Sequence, residues 1–435
     1  MTIKVAYDIS QLASNVHRTN NKTGIIRVIE EVLFELQKRC DINLKMVGLC
    51  TNNAVFTSLV ATQYLKQIDS NMDSSFIDTY TSRLGIESYY KRKYATLLST
   101  DIAKEIHKDS LPSYIFRAML MVFSYIQKLD LVQSLKDDEF DIFHSPFLKL
   151  PPRKITGITK RLLTIYDLIP VKNPEYVTRH FNLFFKQILQ SIDVKRDWVI
   201  CISEHTKNEF CEYTKMSPDR VFVAPLAASD NFHPVDDMQR IDGCRKKYGI
   251  PPGQYFLTLA LLQPRKNLDH LIRSFFKFLA ESHRPDTYLV LAGFYGWKYS
   301  EIFNTLNKFP KYRSRLIFTG YVPDEDLAAI YSGAKGFLFP SLYEGFGLPP
   351  LEAMKCGVPV ITSNTTSLPE VVGDAGIMVD PLDQDALCQA MTTIVNDDNV
   401  WQELRAKGLE RSRQFTWTAS ANKTAEVYKQ VLTGQ

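Results

Sequence analysis

Along most of the chain, short apolar runs alternate with segments whose apolar residues recur every three to four positions. That alternation is the mark of parallel sheets covered by helices on both faces. In the first half the pattern predicts strands at Ile3–Ile9, near Ile142–His144, at Leu162–Tyr166 and at Trp198–Ser203, and a helix following Thr23-Gly24. Between Asn53 and Leu135 it weakens into Tyr-rich, Lys-rich and helical stretches, read as an elaboration of the first lobe. A strand at Val221–Pro225 is followed by the polar, Pro-opened segment Pro234–Asp242, which reads as a linker. A second alternating set then runs through Tyr255–Leu262, Tyr288–Gly293, Leu316–Phe318, Gly336–Pro340 and Val358–Thr362 and ends in helices. The expected architecture is α/β: two Rossmann-like, doubly wound lobes, 1–230 and 235–416, facing a central cleft. Ligands of such sheets sit at the carboxyl ends of the strands.

Composition narrows the chemistry. At roughly 100–200 residues per domain, 435 residues suit two or three domains. A net charge of +4 on so long a chain makes nucleic acid an unexpected partner. The seven cysteines are odd in number, scattered and free of any Cys-x-x-Cys pair, which argues against a disulfide framework or a zinc site and for a reducing, cytoplasmic setting. Ile3-Lys-Val5 at the start reads as a strand and not as a leader peptide. No stretch reaches the roughly eighteen uninterrupted apolar residues of a spanning helix.

The segment from Phe337 to Pro359 is the most informative. Phe337-Leu-Phe-Pro340 has a buried strand's character, Ser341–Gly347 has turn chemistry, and Pro349 stands where a first helical turn tolerates a missing N–H. A helix is expected to about Lys355, with Gly357 as its stop and Pro359 beyond. The backbone N–H groups of Gly345, Phe346, Gly347 and Leu348 then lie at a helix N-terminus by the mouth of a strand, a ready phosphate site. Glu344 and Glu352 flank it. As carboxylates they suit hydroxyl groups better than phosphate; the plain alternative is a solvated loop residue and a partner of the helix dipole.

Phe339–Ser363, with its two glutamates eight apart, resembles the signature of glycosyltransferase family 4. Ser367–Gly376, Val379-Asp-Pro381, Pro264–Leu268, Leu291-Ala-Gly293 and Phe318–Leu327 resemble the same family, so the likeness covers nearly all of the second lobe. In the first lobe it is patchier, at Thr23-Gly24-Ile25, Asp141–His144, Tyr166–Pro170, Ile202-Ser203-Glu204 and Val223-Ala-Pro225. The resemblance implies a GT-B fold and a retaining transfer from a nucleotide diphosphate sugar to a glycan or lipid-linked glycan, mannosyl-, glucosyl- or rhamnosyltransferase-like. It implies that Glu352 holds the ribose, that Glu344 with the Gly345–Gly347 backbone holds the sugar and distal phosphate, that Val322 presents its backbone to the base, and that Gly24 approaches the phosphate from the other lobe, a plain helix-entry glycine being the alternative there. Arg265 and Lys266 would clamp the diphosphate, where cations act on charge developing in the transition state. Many relatives carry an arginine where this chain has Leu261, so Lys266 is the stronger of the two candidates. The helix after Phe415-Thr-Trp417, residues 417–435, is expected to cross back onto the first lobe.

Tyr166-Asp167 stands where many relatives have His-Asp and marks the acceptor side; alternatively Tyr166 caps a strand and Asp167 opens a turn. His144, ending a strand toward the cleft, is more often structural than catalytic. Gly345-Phe-Gly347 lacks the third glycine of a dinucleotide fingerprint, and no P-loop or His-Glu-x-x-His occurs. The acidic run Asp137–Asp141 reads as a solvated turn, and neither a catalytic metal nor another cofactor is expected. The apolar stretch Tyr114–Ile126, preceded by the basic Tyr89–Tyr94, is core, an oligomer contact, or a peripheral contact with the inner face of a membrane. A nucleotide-sugar epimerase, a phosphorylase and a non-catalytic nucleotide-sugar-binding scaffold remain as alternatives.

Overall fold

The computed structural model describes residues 2–15, 24–49, 79–98, 130–135, 139–259, 263–282, 286–293 and 308–434, with shorter pieces between 55 and 125 and at 284. Its strands are β1 (Ile3–Asp8), β2 (Ile42–Val47), β3 (Phe76–Ile77), β4 (Tyr80–Ser82), β5 (Leu131–Gln133), β6 (Ile142–Ser145), β7 (Lys160–Ile165), β8 (Trp198–Cys201), β9 (Val221–Val223), β10 (Tyr255–Leu259), β11 (Tyr288–Ala292), β12 (Leu316–Gly320), β13 (Gly336–Phe339), β14 (Val360–Ser363) and β15 (Gly376–Val379). They form a seven-stranded parallel sheet in the order β3-β2-β1-β6-β7-β8-β9 and a six-stranded parallel sheet in the order β12-β11-β10-β13-β14-β15. The strand order reverses at β1–β6 in one and at β10–β13 in the other. Such switch points open the crevices where α/β proteins bind ligands. The two lobes are Rossmann-like, as the pattern predicts.

The central strands are buried on both faces: β6, β8, β13 and β14 have no exposed residue. This is why they read as continuous apolar runs. The strand at the expected Val358–Thr362 starts at Val360, because Pro359 has no N–H to give a ladder. β2 and β15 escape the pattern: Asn43 and Lys45 interrupt the first, and a glycine opens the second. The expected linker Pro234–Asp242 is corrected as well. Its second half belongs to the helix Met238–Lys247, whose N-terminus is capped by the Asp237 carboxylate accepting from the Gln239 and Arg240 N–H groups.

In the weakly patterned region β3 extends the first sheet beside β2, while β4 and β5 pair apart from it. Tyr90 and Tyr94, on the helix Glu87–Leu98, are buried against Val55 and Tyr80. Tyr114, Ile115, Met119, Met121, Val122 and Tyr125 are exposed, so they are not core of this chain. Ala118 is exposed too, and the remaining residues of 114–126 lie outside the described residues, as do Thr23, Leu261 and residues 137–138 of the acidic run. Among the described residues no helix is long and apolar enough to cross a membrane.

The last helix, Trp417–Thr433, lies against the helix Gly24–Gln37 of the first lobe. Thr418 Oγ1 donates to Glu35 at 2.8 Å, and Lys429 pairs with Asp41 at 2.8 Å. His144 is buried under this helix. Its Nδ1 meets the Tyr428 hydroxyl at 2.7 Å and its Nε2 the Thr164 hydroxyl at 2.9 Å, so both ring nitrogens are engaged by side chains of the first lobe and the last helix.

Candidate active site

β13 delivers the chain to the site. After Phe339 a turn leads through Glu344 to Gly347, whose φ of 136° is open only to glycine, and the helix Leu348–Lys355 follows. Gly357, at φ 72°, ends that helix as expected. Gly345 is needed for a different reason. A side chain there would run into the Tyr166 carbonyl oxygen and come within 2.9 Å of Asp167 Cβ, so glycine lets the second lobe touch the first. Gly24 stands across from the same helix, and the nearest atom to a Cβ built on it is Leu348 Cδ1 at 3.9 Å.

The 3₁₀ turn Pro264–Lys266 brings both cations to Glu344. Lys266 Nζ lies 2.6 Å from one carboxylate oxygen and Arg265 Nη1 2.8 Å from the other. The turn is strapped to the loop by Leu342 N–H donating to the Arg265 carbonyl at 2.8 Å and by Asn267 Nδ2 donating to the Pro340 carbonyl at 3.1 Å. Lys266 Nζ also sits 4.4 Å from the Phe339 ring centre. Burial would raise the Glu344 carboxyl, but Arg265 and Lys266 hold it down to about 2. Burial pushes Lys266 down to about 8, against the pull of Glu344, which leaves it an ammonium at neutral pH. The cations, expected on the diphosphate, and the carboxylate, expected on the sugar, are here paired with one another.

Glu352 occupies a different field. Burial pushes it up to about 7, opposed by Arg27 and the Tyr331 hydroxyl. That hydroxyl donates to Oε2 at 3.2 Å, and Arg27 Nη1 lies 3.6 Å from Oε1. Arg27 comes from the first lobe and also pairs with Asp324, two residues beyond the buried Val322. On the first-lobe side, Asp167 accepts from Ile169 N–H at 3.0 Å and so opens a turn. Burial pushes its carboxyl up to about 6, against Arg265. Tyr166 and Asp167 line a narrow crevice with Ile25, Phe147, Thr164 and Phe181.

Several contacts between the lobes went unread in the sequence. Ser203 Oγ donates to the Gly345 carbonyl at 2.8 Å, and the Glu370 carboxylate accepts from Glu204 N–H at 2.7 Å and His205 N–H at 2.6 Å, at the start of the helix Glu204–Thr214. Tyr343 donates to Glu209. A lone arginine or glutamate on a helix gives no sign of such a role; only Ser203, before Glu204 at a helix start, carries a readable capping signal. Among the described residues no group of three or more His, Cys, Asp or Glu side chains gathers as a metal requires.

Two parallel-sheet lobes meeting over a strand–loop–helix turn define the GT-B architecture of sugar-transferring enzymes. A profile described as "Glycosyl transferases group 1" matches residues 242–415. The O-antigen chain mannosyltransferase B of Escherichia coli is 34% identical over 298 residues, covering 68% of this chain and 76% of that protein. The serotype-specific mannosyltransferase WbdA of the same organism is 34% identical over 276 residues, covering 63% of this chain but 34% of that longer protein. A glycosyltransferase from Rickettsia africae aligns over the whole of both chains with a TM-score of 0.64 at 17% identity, a likeness of fold. The chain belongs to the group 1 glycosyltransferases, and it is a glycosyltransferase, which sets aside the epimerase, phosphorylase and scaffold readings.

Proposed function

We propose that this is a retaining enzyme of glycosyltransferase family 4 that moves a hexose, mannose first among the candidates, from a nucleoside diphosphate sugar to a hydroxyl of a glycan or lipid-linked glycan. The observation that carries the reading is the Glu344–Lys266–Arg265 cluster beside the Gly345–Leu348 backbone at the end of β13. Support for mannose comes from the mannosyltransferases at 34% identity. On this reading the donor diphosphate draws Lys266 and Arg265 from Glu344, freeing its carboxylate for sugar hydroxyls. Glu352 accepts from the ribose, Val322 meets the base through its backbone, and Gly24 faces the phosphates. Tyr166 and Asp167 border the acceptor, and the reading includes no catalytic metal. Residues 1–230 and 235–416 act as acceptor and donor lobes, braced by 417–435. The enzyme works in the cytoplasm, on acceptors presented at the inner face of the membrane.

The bond from the anomeric carbon to the phosphate oxygen breaks while the acceptor oxygen forms its bond on the same face. The acceptor's proton passes to the leaving phosphate, whose growing charge Lys266 and Arg265 neutralise. Offering nucleoside diphosphate hexoses with glycan acceptors and reading the product by proton NMR tests this. The donor's anomeric configuration should persist; inversion would end the retaining assignment, and no transfer from any such donor would end the donor assignment.

A further inference from the structure

Glu344 lies on a loop, yet its neighbourhood is held with unusual care by the adjoining segment Thr362–Ser367. Thr362 Oγ1 donates to the Phe339 carbonyl at 2.9 Å and Ser363 Oγ to the Ser341 carbonyl at 2.7 Å. Thr366 Oγ1 accepts from Glu344 N–H at 3.2 Å while donating to the Thr365 carbonyl at 2.8 Å. Ser367 Oγ lies 2.8 Å from the Glu344 carbonyl and 2.7 Å from that of Phe346, sharing its one proton between them. Four hydroxyls thus fasten the loop at residues 339, 341, 344 and 346, and both backbone polar groups of Glu344 are held by consecutive side chains.

Thr366 keeps its place at a cost. Its φ is 57°, in the left-handed region where a β-branched residue is a true outlier and glycine is at ease. Strain of this kind persists where surrounding structure imposes it, and it gathers at working sites. Glycine would relieve the backbone but would bring no hydroxyl to Glu344 N–H.

We infer that Thr366 and Ser367 are positioning residues for glycosyl transfer, setting the Glu344 carboxylate by gripping its backbone from both sides, with Thr366 held in a strained conformation because its hydroxyl is required. The inference rests on Glu344 acting in the donor site as proposed above. Neither side chain touches the reacting atoms; each acts through Glu344.

The test compares Thr366→Gly, Thr366→Ser and Ser367→Ala with the parent, reading kcat, melting temperature and affinity for the free nucleoside diphosphate. In Thr366→Gly, relief of strain offsets the lost hydrogen bonds, so the melting temperature stays within about 2 °C of the parent. Its kcat falls by about tenfold or more, since small misplacements at a reacting centre are costly. Thr366→Ser restores most of the rate, and Ser367→Ala slows transfer while leaving nucleoside diphosphate affinity near the parental value. A Thr366→Gly enzyme with parental kcat overturns the inference, and so does one whose melting temperature and nucleotide affinity fall along with its rate. Glu344→Gln serves as the control. If it turns over at the parental rate, the reading of the site itself fails and this inference with it; if it is slow while Thr366→Gly is fast, only the inference fails.

Discussion

The carboxylate of Glu344 lies 2.6 Å from the Lys266 ammonium in a site almost closed to solvent, each residue being 8% exposed. A buried pair of this kind contributes little net stability when whole but is expensive to break, because the survivor is left charged without a partner. With Arg265 on the other carboxylate oxygen, the cluster holds one more positive than negative charge. It therefore suits an anion, and under the proposed function that anion is the donor diphosphate.

Lys266→Ala should lower kcat by about a hundredfold to a thousandfold, the usual loss when one group opposing developing charge is removed. Glu344→Gln should be slow too, and less stable by about 3 kcal/mol, because Lys266 and Arg265 would then face each other without their anion. Initial rates and urea melts of the purified variants read both effects. A folded Lys266→Ala enzyme at the parental rate would remove this lysine from the mechanism.

Acid should withdraw the stability carried by His144 and by Glu344 in two successive pH windows. The buried His144 ring is pushed down to about 3, while in the unfolded chain it titrates near 6.5, so between those values the unfolded state holds more protons. Stability carried by His144 is therefore present above pH 6.5 and drains away below it. Glu344, held down to about 2, contributes above its ordinary 4.5 and loses that contribution as pH falls toward 2. His144→Phe should melt lower at pH 7, having lost its bonds to Tyr428 and Thr164, and should show a flatter decline from pH 6.5 to 5 than the parent. Parallel curves for the two proteins in calorimetry would refute the neutral, buried ring.

How much of this was open to view in the sequence follows from how local each signal is. The strand–loop–helix around Glu344 was legible because buried strands, turn residues, Pro349 and Gly357 each act within a few positions. The pairing of Glu344 with Lys266 spans 78 residues and arises only when two neighbouring strands of the second sheet bring their ends together. Arg27 was invisible for the same reason: nothing on its own helix tells that Glu352 and Asp324 will close over it from the other lobe. The helix Met238–Lys247 was hidden by its own polarity, since it buries only Ile241 and Cys244.

Glu352 makes a pH prediction of the opposite sign. Its folded value is pushed up to about 7, above the ordinary 4.5, so stability tied to its protonated form is present below pH 4.5 and lost as pH rises through 7. If the carboxylate accepts from the ribose, nucleoside diphosphate affinity should strengthen with pH up to about 7, by up to about tenfold per unit, and then level off. Glu352→Gln should bind more weakly and lack the rise from pH 6 to 7, keeping only the titrations of the ligand and of Lys266. Calorimetric titrations of both proteins at pH 6, 7 and 8 separate the two contributions, and identical pH profiles would exclude Glu352 as the ribose acceptor.

Gly345→Ala isolates the meeting of the lobes. The backbone of Gly345 is not in the left-handed region, so alanine is permitted within its own lobe. The three atoms nearest the added methyl all belong to Tyr166 and Asp167 of the other lobe, and the conflict should also draw the Gly345 carbonyl away from Ser203. Each lobe should still fold, leaving the melting temperature within a few degrees of the parent. Nucleoside diphosphate affinity should fall only in part, because Lys266, Arg265, Glu352 and Val322 stay together in the second lobe while Gly24 and Arg27 of the first lobe move away. Transfer needs both lobes around one sugar, and a displacement of about 1 Å at the reacting centre costs on the order of a hundredfold in rate. The variant should therefore bind nucleotide, transfer sugar at least about a hundredfold more slowly, and show a larger radius of gyration by small-angle scattering. A compact Gly345→Ala enzyme with parental turnover would mean that the contact between Gly345 and Tyr166 is not part of the working state.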